Sequence, residues 1–154
     1  PALDLHGGGA DLRFPHHAYE SAMAEAATGV RPFARAWLHV GIVRVDGAKM
    51  AKSTGNLVFT ADLLRDHPAA ALRLLLIDRR WPADWDYSPA GLEAAVARLD
   101  RLHTAAGRAT SSDAAEQAAI RALLDDLDVP AALGIAEEEG GRTARTVLGV
   151  LGLT

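Results

Sequence analysis

The sequence predicts an α/β segment over residues 1–59 followed by an all-helical segment over residues 60–154. Two observations support this fold class. Before Thr60, short apolar runs rich in β-branched residues alternate with glycine-containing turn signals, as strands and their connections do. From Thr60 onward, apolar residues recur at the spacing of an amphipathic helix. With 49% hydrophobic residues, the chain can bury one compact core or two small ones.

The α/β segment is predicted to begin with a strand that runs into three glycines, and a helix follows. Pro15 suits a first helical turn, and Gly29 closes the helix. A second strand ends at Asp46-Gly47, which is a strong turn signal, and an exposed loop comes next. The predicted elements are the strand Leu3–His6, the turn Gly7–Gly9, the helix Pro15–Ala27, the strand Trp37–Val45 and a loop through Asn56.

The helical segment is predicted from caps, prolines and periodicity. Thr60 can cap the first helix, Pro68 opens the second, and Ser88-Pro89 begins the third. We expect Trp81 and Trp85 to lie in the loop before the third helix and to pin that loop to the core. The predicted helices are Ala61–Asp66, Ala69–Arg79, one from Pro89 with the apolar stripe Leu92, Val96, Leu99 and Leu102, and, after a polar linker over Arg108–Asp113, Ala114–Leu127, Pro130–Glu139 and Arg142–Leu151.

Charge and composition exclude several classes of protein. The formal net charge of -4 leaves no basic footprint for non-specific nucleic-acid binding, although a specific RNA contact is compatible with it. The chain has no cysteine, so it carries no disulfide and no thiolate zinc ligand. No apolar run approaches the roughly 20 residues of a membrane helix. We therefore expect a cytoplasmic protein with no membrane partner, and, because the chain opens at Pro1, an N-terminus that was cut or processed.

The two lysines of the chain are the first candidate site. Lys49 and Lys52 lie three residues apart, whereas fourteen arginines are spread over the rest of the sequence. Two ammonium groups, the Ser53 hydroxyl and the flexible Gly55 on a loop after a strand can fold over a triphosphate and neutralise its charge. The alternative is a pair of ordinary surface lysines. Their isolation in an arginine-rich chain favours phosphate binding.

The glycine turn is the second candidate site. Gly7, Gly8 and Gly9 between a strand and a helix would let backbone N–H groups approach a ligand, and Asp11 could hold a ribose hydroxyl or an amino group. A simple structural turn is the alternative. The flanking polar residues His6 and Asp11 make the two interpretations about equally strong.

A His/Glu pair is the third candidate site. In a helix that begins at Pro15, His16 and Glu20 are four residues apart and face the same way, so they could supply two ligands to one zinc ion. The alternative is a solvated ion pair. Two ligands do not complete a tetrahedral site, and no cysteine is present to complete it.

Taken together, these segments resemble the C-terminal part of the cysteine-activating branch of class I aminoacyl-tRNA synthetases. That family has the motif HGGGxDLxFPHHxxE, then a WxHxG strand and then the KMSKS loop. The matching residues here are His6–Glu20, Trp37–Gly41 and Lys49–Ser53, and the likeness continues through Leu74–Trp85 and Asp125–Pro130. The resemblance implies the C-terminal half of a Rossmann-like catalytic domain over residues 1–59, followed by a helical bundle over residues 60–154.

The resemblance also implies a role for each matched residue, with ATP and cysteine as substrates and Mg²⁺ and Zn²⁺ as ions. It assigns Lys49, Lys52 and Ser53 to the ATP phosphates, and Gly7, Gly8, Gly9 and Asp11 to the adenylate pocket. His6 and Trp37 would approach the amino acid, and His16 and Glu20 would be two of four zinc ligands, the others being upstream cysteines. Two departures stand out: Ala51 replaces a serine of KMSKS, and Ala18-Tyr19 replaces the usual Glu-Asn.

Parts of the family pattern that this sequence does not contain bear on its expected function. The upstream half, with its HIGH-type segment and zinc cysteines, is expected in the same or another chain, and this chain alone is expected to be inactive. Because no anticodon-binding domain follows Val147–Leu153, the layout is closer to the mycothiol-type ligases, which transfer cysteine to glucosaminyl-inositol. The alternatives are a cysteinyl-tRNA synthetase, with tRNA as the acceptor, and a non-catalytic split-synthetase binding module.

Overall fold

The computed structural model describes residues 2–154, which form two compact units. The first unit contains the chain up to Met50 together with Pro82–Asp86, and the second contains Ala51–Trp81 and Tyr87–Thr154. Compactness does not assign a function to either unit. The division into a nucleotide-binding segment over residues 1–59 and a helical domain over residues 60–154 therefore stays a prediction.

The first unit is built on two parallel strands, β1 (Leu3–Gly9) and β2 (Ala34–Val40). The helix α1 (Ala18–Thr28) connects them, and Gly29 ends it in the left-handed conformation with φ +69°, as predicted. The predicted glycine turn is wrong, because Gly7–Gly9 continue β1. These glycines remain extended because each has a partner in β2, with Gly8 opposite His39.

The helix α1 begins three residues later than predicted. A 3-10 turn over Ala10–Leu12 comes first, and a wider turn over Arg13–His17 follows. Phe14 in that turn has extended angles of φ -144° and ψ 136°. A residue before proline is disfavoured in the helical region, so the proline after Phe14 keeps the chain from entering the helix there.

The chain also has a second, small sheet with the strand order β4-β3-β5. The bounds are β3 (Val43–Val45), β4 (Ala48–Lys49) and β5 (Trp85–Tyr87). The predicted Asp46-Gly47 turn is confirmed, with φ of +52° and +75° between the antiparallel strands β3 and β4. The single predicted strand Trp37–Val45 is wrong, since the chain leaves β2 after Val40. The prediction of a loop at Trp85 is also wrong, because this residue lies in β5, which pairs with β3.

The second unit consists of helices. They are α2 (Thr60–Leu63), α3 (Ala69–Ile77), α4 (Pro89–Ala106), α5 (Asp113–Leu124), α6 (Val129–Glu139) and α7 (Gly141–Leu151). Their shared core contains the fully buried side chains Leu74, Leu102, Leu133, Val147 and Leu153. No helix within residues 2–154 has both the length and the apolar character needed to cross a membrane.

Several helix boundaries have a visible physical cause. The Ser88 hydroxyl accepts a hydrogen bond from the Gly91 N–H at 3.1 Å, so the predicted cap of α4 is confirmed. The predicted cap at Thr60 is wrong, because Phe59 occupies that position and Thr60 is the first helical residue. The helix α5 ends before the predicted Leu127, because Asp126 and Leu127 both have φ of +55°, which no right-handed helix can contain.

Most of the predicted apolar stripe of α4 faces the core. Leu92, Leu99 and Leu102 are buried, whereas Val96 is half-buried and Ala95 is buried beside it. The other tryptophan, Trp81, is held in the second unit by its indole N–H, which donates to the Asp126 carbonyl at 3.0 Å.

Candidate functional site

Aromatic and imidazole rings meet at the middle of the β1–β2 pair. His6 and Trp37 are direct partners in the parallel register, and their ring centroids are 4.9 Å apart. His39 is two residues beyond Trp37, so it lies on the same face of the strand and stacks on the indole with centroids 5.9 Å apart. The predicted substrate-contacting pair, His6 and Trp37, is therefore brought together by strand register.

Glu20 connects two histidines through its two carboxylate oxygens. Its Oε1 lies 3.4 Å from Nε2 of His16, and its Oε2 lies 3.4 Å from Nε2 of His6. The predicted His16 and Glu20 are thus adjacent in space as well as at helical spacing. Among residues 2–154, Glu20 Oε2 is buried and accepts no hydrogen bond.

Three residues of this cluster are suited to hold a metal ion. In the described part of the chain, ligand atoms of His6, His17 and Glu20 all lie within 4.8 Å of one another. Imidazole nitrogens and carboxylate oxygens are ligands that zinc binds, and Glu20 Oε2, which accepts no hydrogen bond, would gain a bond to the metal. Glu20 is common to this set and to the pair predicted from sequence, His16 and Glu20.

His17 is the residue that sequence reasoning missed. It is 4% exposed, and its Nδ1 lies 3.0 Å from Nε2 of His39, so one of these nitrogens donates to the other. Burial lowers the pKa of His17, and the nearby charge of His6 lowers it further. A His-His dipeptide at a helix start offers no local signal for which ring turns inward.

Gly8 has a packing role at this cluster. A Cβ atom at Gly8 would lie 2.7 Å from Cε1 of His17, whereas a Cβ at Gly7 would meet nothing closer than 3.8 Å. The buried imidazole therefore requires the bare backbone of Gly8. An open cleft of about 450 Å³ lies beside the cluster and is lined by Arg13, His17, Ala18, Ser21, Trp37 and His39.

Lys49 lies at the end of the β3–β4 hairpin and is paired with Asp11. Its ammonium group donates to the Asp11 carboxylate, and that hydrogen bond lowers the pKa of Asp11. Two predicted sites that are 38 residues apart in sequence, the glycine segment and the lysine loop, are thus joined by an ion pair. Half of the Lys49 side chain is still exposed, so the pair remains open to solvent.

Lys52 and Ser53 belong to the second unit and form an exposed 3-10 turn over Lys52–Thr54. The turn has defined local bonds. The Asn56 side chain accepts a hydrogen bond from the Ala51 N–H at 3.0 Å, and Gly55 ends the turn with φ +69°. The loop that the sequence predicts through Asn56 therefore contains a 3-10 turn with its own hydrogen bonds.

Comparison with known proteins shows the family to which the chain belongs. The family of class I (C) tRNA synthetase catalytic domains matches residues 1–97. The chain belongs to this family, and the predicted membership of its cysteine-activating branch is confirmed.

The curated relatives include two kinds of cysteine ligase. The L-cysteine:1D-myo-inositol 2-amino-2-deoxy-alpha-D-glucopyranoside ligase of Streptomyces griseus is 42% identical over 98% of this chain and 41% of its own length. The protein of the same name from Frankia alni is 50% identical over 85% of this chain and 32% of its own length. The cysteine–tRNA ligase of Rhodospirillum rubrum is 43% identical over 86% of this chain and 30% of its own length. The chain therefore spans less than half of the length of these relatives.

A solved structure supports the fold. LeuRS of Agrobacterium radiobacter K84, in a ternary complex with tRNA and LeuAMS, matches 97% of this chain and 25% of its own chain with a TM-score of 0.62. At 17% identity, this likeness concerns the fold alone. The class I synthetase-like part of the fold prediction is confirmed.

Proposed function

We propose that this chain is the C-terminal portion of an ATP-dependent cysteine ligase that forms cysteinyl-adenylate. The observation that carries the proposal is the pairing of Lys49 with Asp11 in the same compact unit as the His6–Glu20 cluster. One unit thereby holds a mobile cation for phosphate, a carboxylate suited to a ribose, and imidazole and carboxylate groups suited to a metal.

Each of these groups would have a role in the adenylation step. The carboxylate of cysteine attacks the α-phosphorus of ATP in line, a C–O–P linkage forms, and the bond to the bridging oxygen breaks as pyrophosphate leaves. Lys49, Lys52 and Ser53 would bind the phosphates and neutralise the charge that develops on pyrophosphate. The backbone of Gly7–Gly9 and the Asp11 carboxylate would line the adenylate pocket. Mg²⁺ would share the phosphate charge.

The amino-acid pocket would be formed by His6 and Trp37, which lie side by side. His16 and Glu20 would hold a zinc ion, with further ligands from the region of the relatives that this chain does not span. When bound, zinc would supply a Lewis acid that binds a cysteine thiolate in preference to a serine hydroxyl. The orphaned Oε2 of Glu20 supports a ligand role for that carboxylate.

The acceptor is proposed to be the amine of glucosaminyl-inositol. That amine would attack the carbonyl carbon of the adenylate, form an amide and release AMP. The names and identities of the relatives from Streptomyces griseus and Frankia alni support this acceptor. A tRNA hydroxyl is the second candidate, because the cysteine–tRNA ligase of Rhodospirillum rubrum is 43% identical to this chain.

We also propose that activity requires the region of the relatives that this chain does not span. Parallel strands are normally covered on both faces and extended by further strands. Here β1 and β2 form a sheet of two strands, and Leu5 of β1 is 58% exposed. The chain spans less than half of the relatives' length, and the remaining region would supply the strands and helices that cover this sheet.

The test is cysteine-dependent ATP–pyrophosphate exchange with the chain alone and with the chain supplied with the N-terminal region of the Streptomyces griseus relative. We expect exchange only in the second case. In that complex, Lys52→Ala should reduce the exchange rate by about 10²–10³-fold, as the loss of a transition-state cation does. Arg65→Ala is the matched control, because it removes an exposed cation outside the loop.

The outcomes separate the candidates. No exchange under any pairing would favour a non-catalytic binding module. With exchange established, tRNA and glucosaminyl-inositol are compared as acceptors of radiolabelled cysteine, and a preference for tRNA would overturn the mycothiol-type proposal.

A further inference from the structure

We propose that Asp84 and Asp86 are positioning residues that hold the lysine hairpin, defined here as Val43–Lys49, in place. The proposal rests on the function proposed above, since it concerns the hairpin that ends at Lys49. Both carboxylates come from a segment about 40 residues downstream, and neither carries the chemistry itself.

Asp84 binds the start of the hairpin through both carboxylate oxygens. Its Oδ1 accepts a hydrogen bond from the Ile42 N–H at 2.8 Å, and its Oδ2 accepts one from the Arg44 guanidinium at 2.6 Å. The two backbones are also bonded directly, because the Trp85 N–H donates to the Ile42 carbonyl at 3.0 Å. Asp84 therefore binds both the backbone immediately before β3 and a side chain of β3.

Asp86 binds the turn that follows β3. Its Oδ1 accepts a hydrogen bond from the Gly47 N–H at 2.9 Å, and Gly47 is the second residue of the tight turn with φ +75°. Asp84 and Asp86 are two residues apart along an extended segment, so their side chains emerge on the same side. Together they hold the start and the turn of the hairpin.

Close packing of the backbones reinforces these bonds. A Cβ atom at Gly41 would collide with the carbonyl group of Ala83. Only glycine at position 41 lets the two segments approach closely enough for the Ile42–Asp84 hydrogen bond to form. The close approach of the backbones at Gly41 and Ala83 therefore depends on the glycine.

The charge on Arg44 gives Asp84 a second effect. Arg44 and Lys49 are direct partners in the antiparallel register, and like charges in such a pair repel. The Asp84 carboxylate neutralises Arg44 from the side, whereas Lys49 is paired with Asp11. Loss of Asp84 would leave the charge of Arg44 beside Lys49 without a neutralising carboxylate and would loosen the hairpin that ends at Lys49.

The first experiment is amide hydrogen exchange on the chain itself, with Asp84→Ala and Arg44→Gln as variants. Asp4→Ala is the matched control, because Asp4 is an exposed carboxylate in the same unit that binds Arg35 and not the hairpin. We expect exchange across residues 42–49 to rise about tenfold or more in both variants and to stay unchanged in the control. Equal exchange in Asp84→Ala and the control would overturn the proposal.

The second experiment measures ATP–pyrophosphate exchange with the same variants, supplied with the N-terminal region of the relative. Asp84→Ala should raise KM for ATP or lower kcat about tenfold, with KM for cysteine unchanged. Asp84→Asn retains an acceptor for the Ile42 N–H but loses the ion pair, so its effect should be intermediate. A change confined to KM for cysteine would overturn the positioning role.

The two experiments also separate this proposal from the proposed function. If the chain without substitutions shows no cysteine-dependent exchange even when it is supplied with the N-terminal region of the relative, the proposed function fails, and amide exchange still decides whether Asp84 holds the hairpin. If catalysis is present and Asp84→Ala leaves the ATP kinetics unchanged, the positioning role fails alone. Arg44→Gln breaks the same ion pair by changing the other partner, so a matching effect would show that misfolding of Asp84→Ala is not the cause.

Discussion

Gly8 provides a sharp test of the site geometry, because one added methyl group must displace a buried ring. In Gly8→Ala, the new Cβ would lie 2.7 Å from Cε1 of His17 and 3.1 Å from Cδ1 of Leu12. Carbon atoms pack at about 3.5–4.0 Å, so the ring must move by close to 1 Å. His17 is 4% exposed and bonded to His39, which leaves little room for that movement. We expect Gly8→Ala to destabilise the first unit by about 1–3 kcal/mol, as overpacking of a core does.

Gly7→Ala is the matched control for this prediction. It adds the same methyl group to the neighbouring residue of β1, where the nearest atom would be 3.8 Å away. We expect it to change stability by no more than about 0.5 kcal/mol. Urea unfolding of both variants, followed by the fluorescence of Trp37 with the other tryptophans replaced by phenylalanine, measures the difference. Equal effects in the two variants would refute the packing role of Gly8.

Three further predictions concern single groups. The hydrogen bond from Lys49 lowers the pKa of Asp11, so this ion pair stabilises the fold fully at pH values above the ordinary carboxyl pKa of about 3.9. The contribution is lost as the pH falls through the lowered pKa of Asp11. Asp11→Asn should therefore cost up to about 1 kcal/mol at neutral pH in chemical unfolding and progressively less below pH 4. His16→Ala should weaken zinc binding by the chain at least about tenfold in calorimetry, and an unchanged titration would assign the metal to the other histidines of the cluster. Ser88→Ala should cost about 1 kcal/mol through loss of the α4 cap, whereas Thr60→Ala, which removes no cap, should be nearly neutral in the same unfolding assay.

Local chemistry explains which structural features could be predicted from the sequence. The Asp46-Gly47 turn, the Ser88 cap and the left-handed Gly29 each depend on a few neighbouring residues. The contact between His16 and Glu20 likewise follows from their i, i+4 spacing, although His16 lies in the turn that leads into α1. These predictions hold because the interactions that produce them are complete within one turn of chain.

Features that depend on distant pairing could not be predicted. Gly7–Gly9 have the composition of a turn, but they form a strand because β2 supplies partners for them. Trp85 lies in a short apolar–polar alternation over Ala83–Tyr87, but five alternating residues do not identify a partner strand, which in the structure is β3. The bond between Asp84 and Ile42 spans 42 positions, and nothing in the local sequence marks Asp84 as its acceptor.

The pairing of Lys49 with Asp11 bears on how a nucleotide would bind. A triphosphate that takes Lys49 must compete with the Asp11 carboxylate, which holds the ammonium in the structure. Because both side chains are at least one-third exposed, this ion pair is worth only about 0.2–1 kcal/mol. A phosphate group offers more negative charge than one carboxylate, and the freed Asp11 could then accept a hydrogen bond from a ribose hydroxyl. The ion pair therefore keeps Lys49 beside Asp11 at low energetic cost, and its exchange for phosphate would release both side chains for the ligand together.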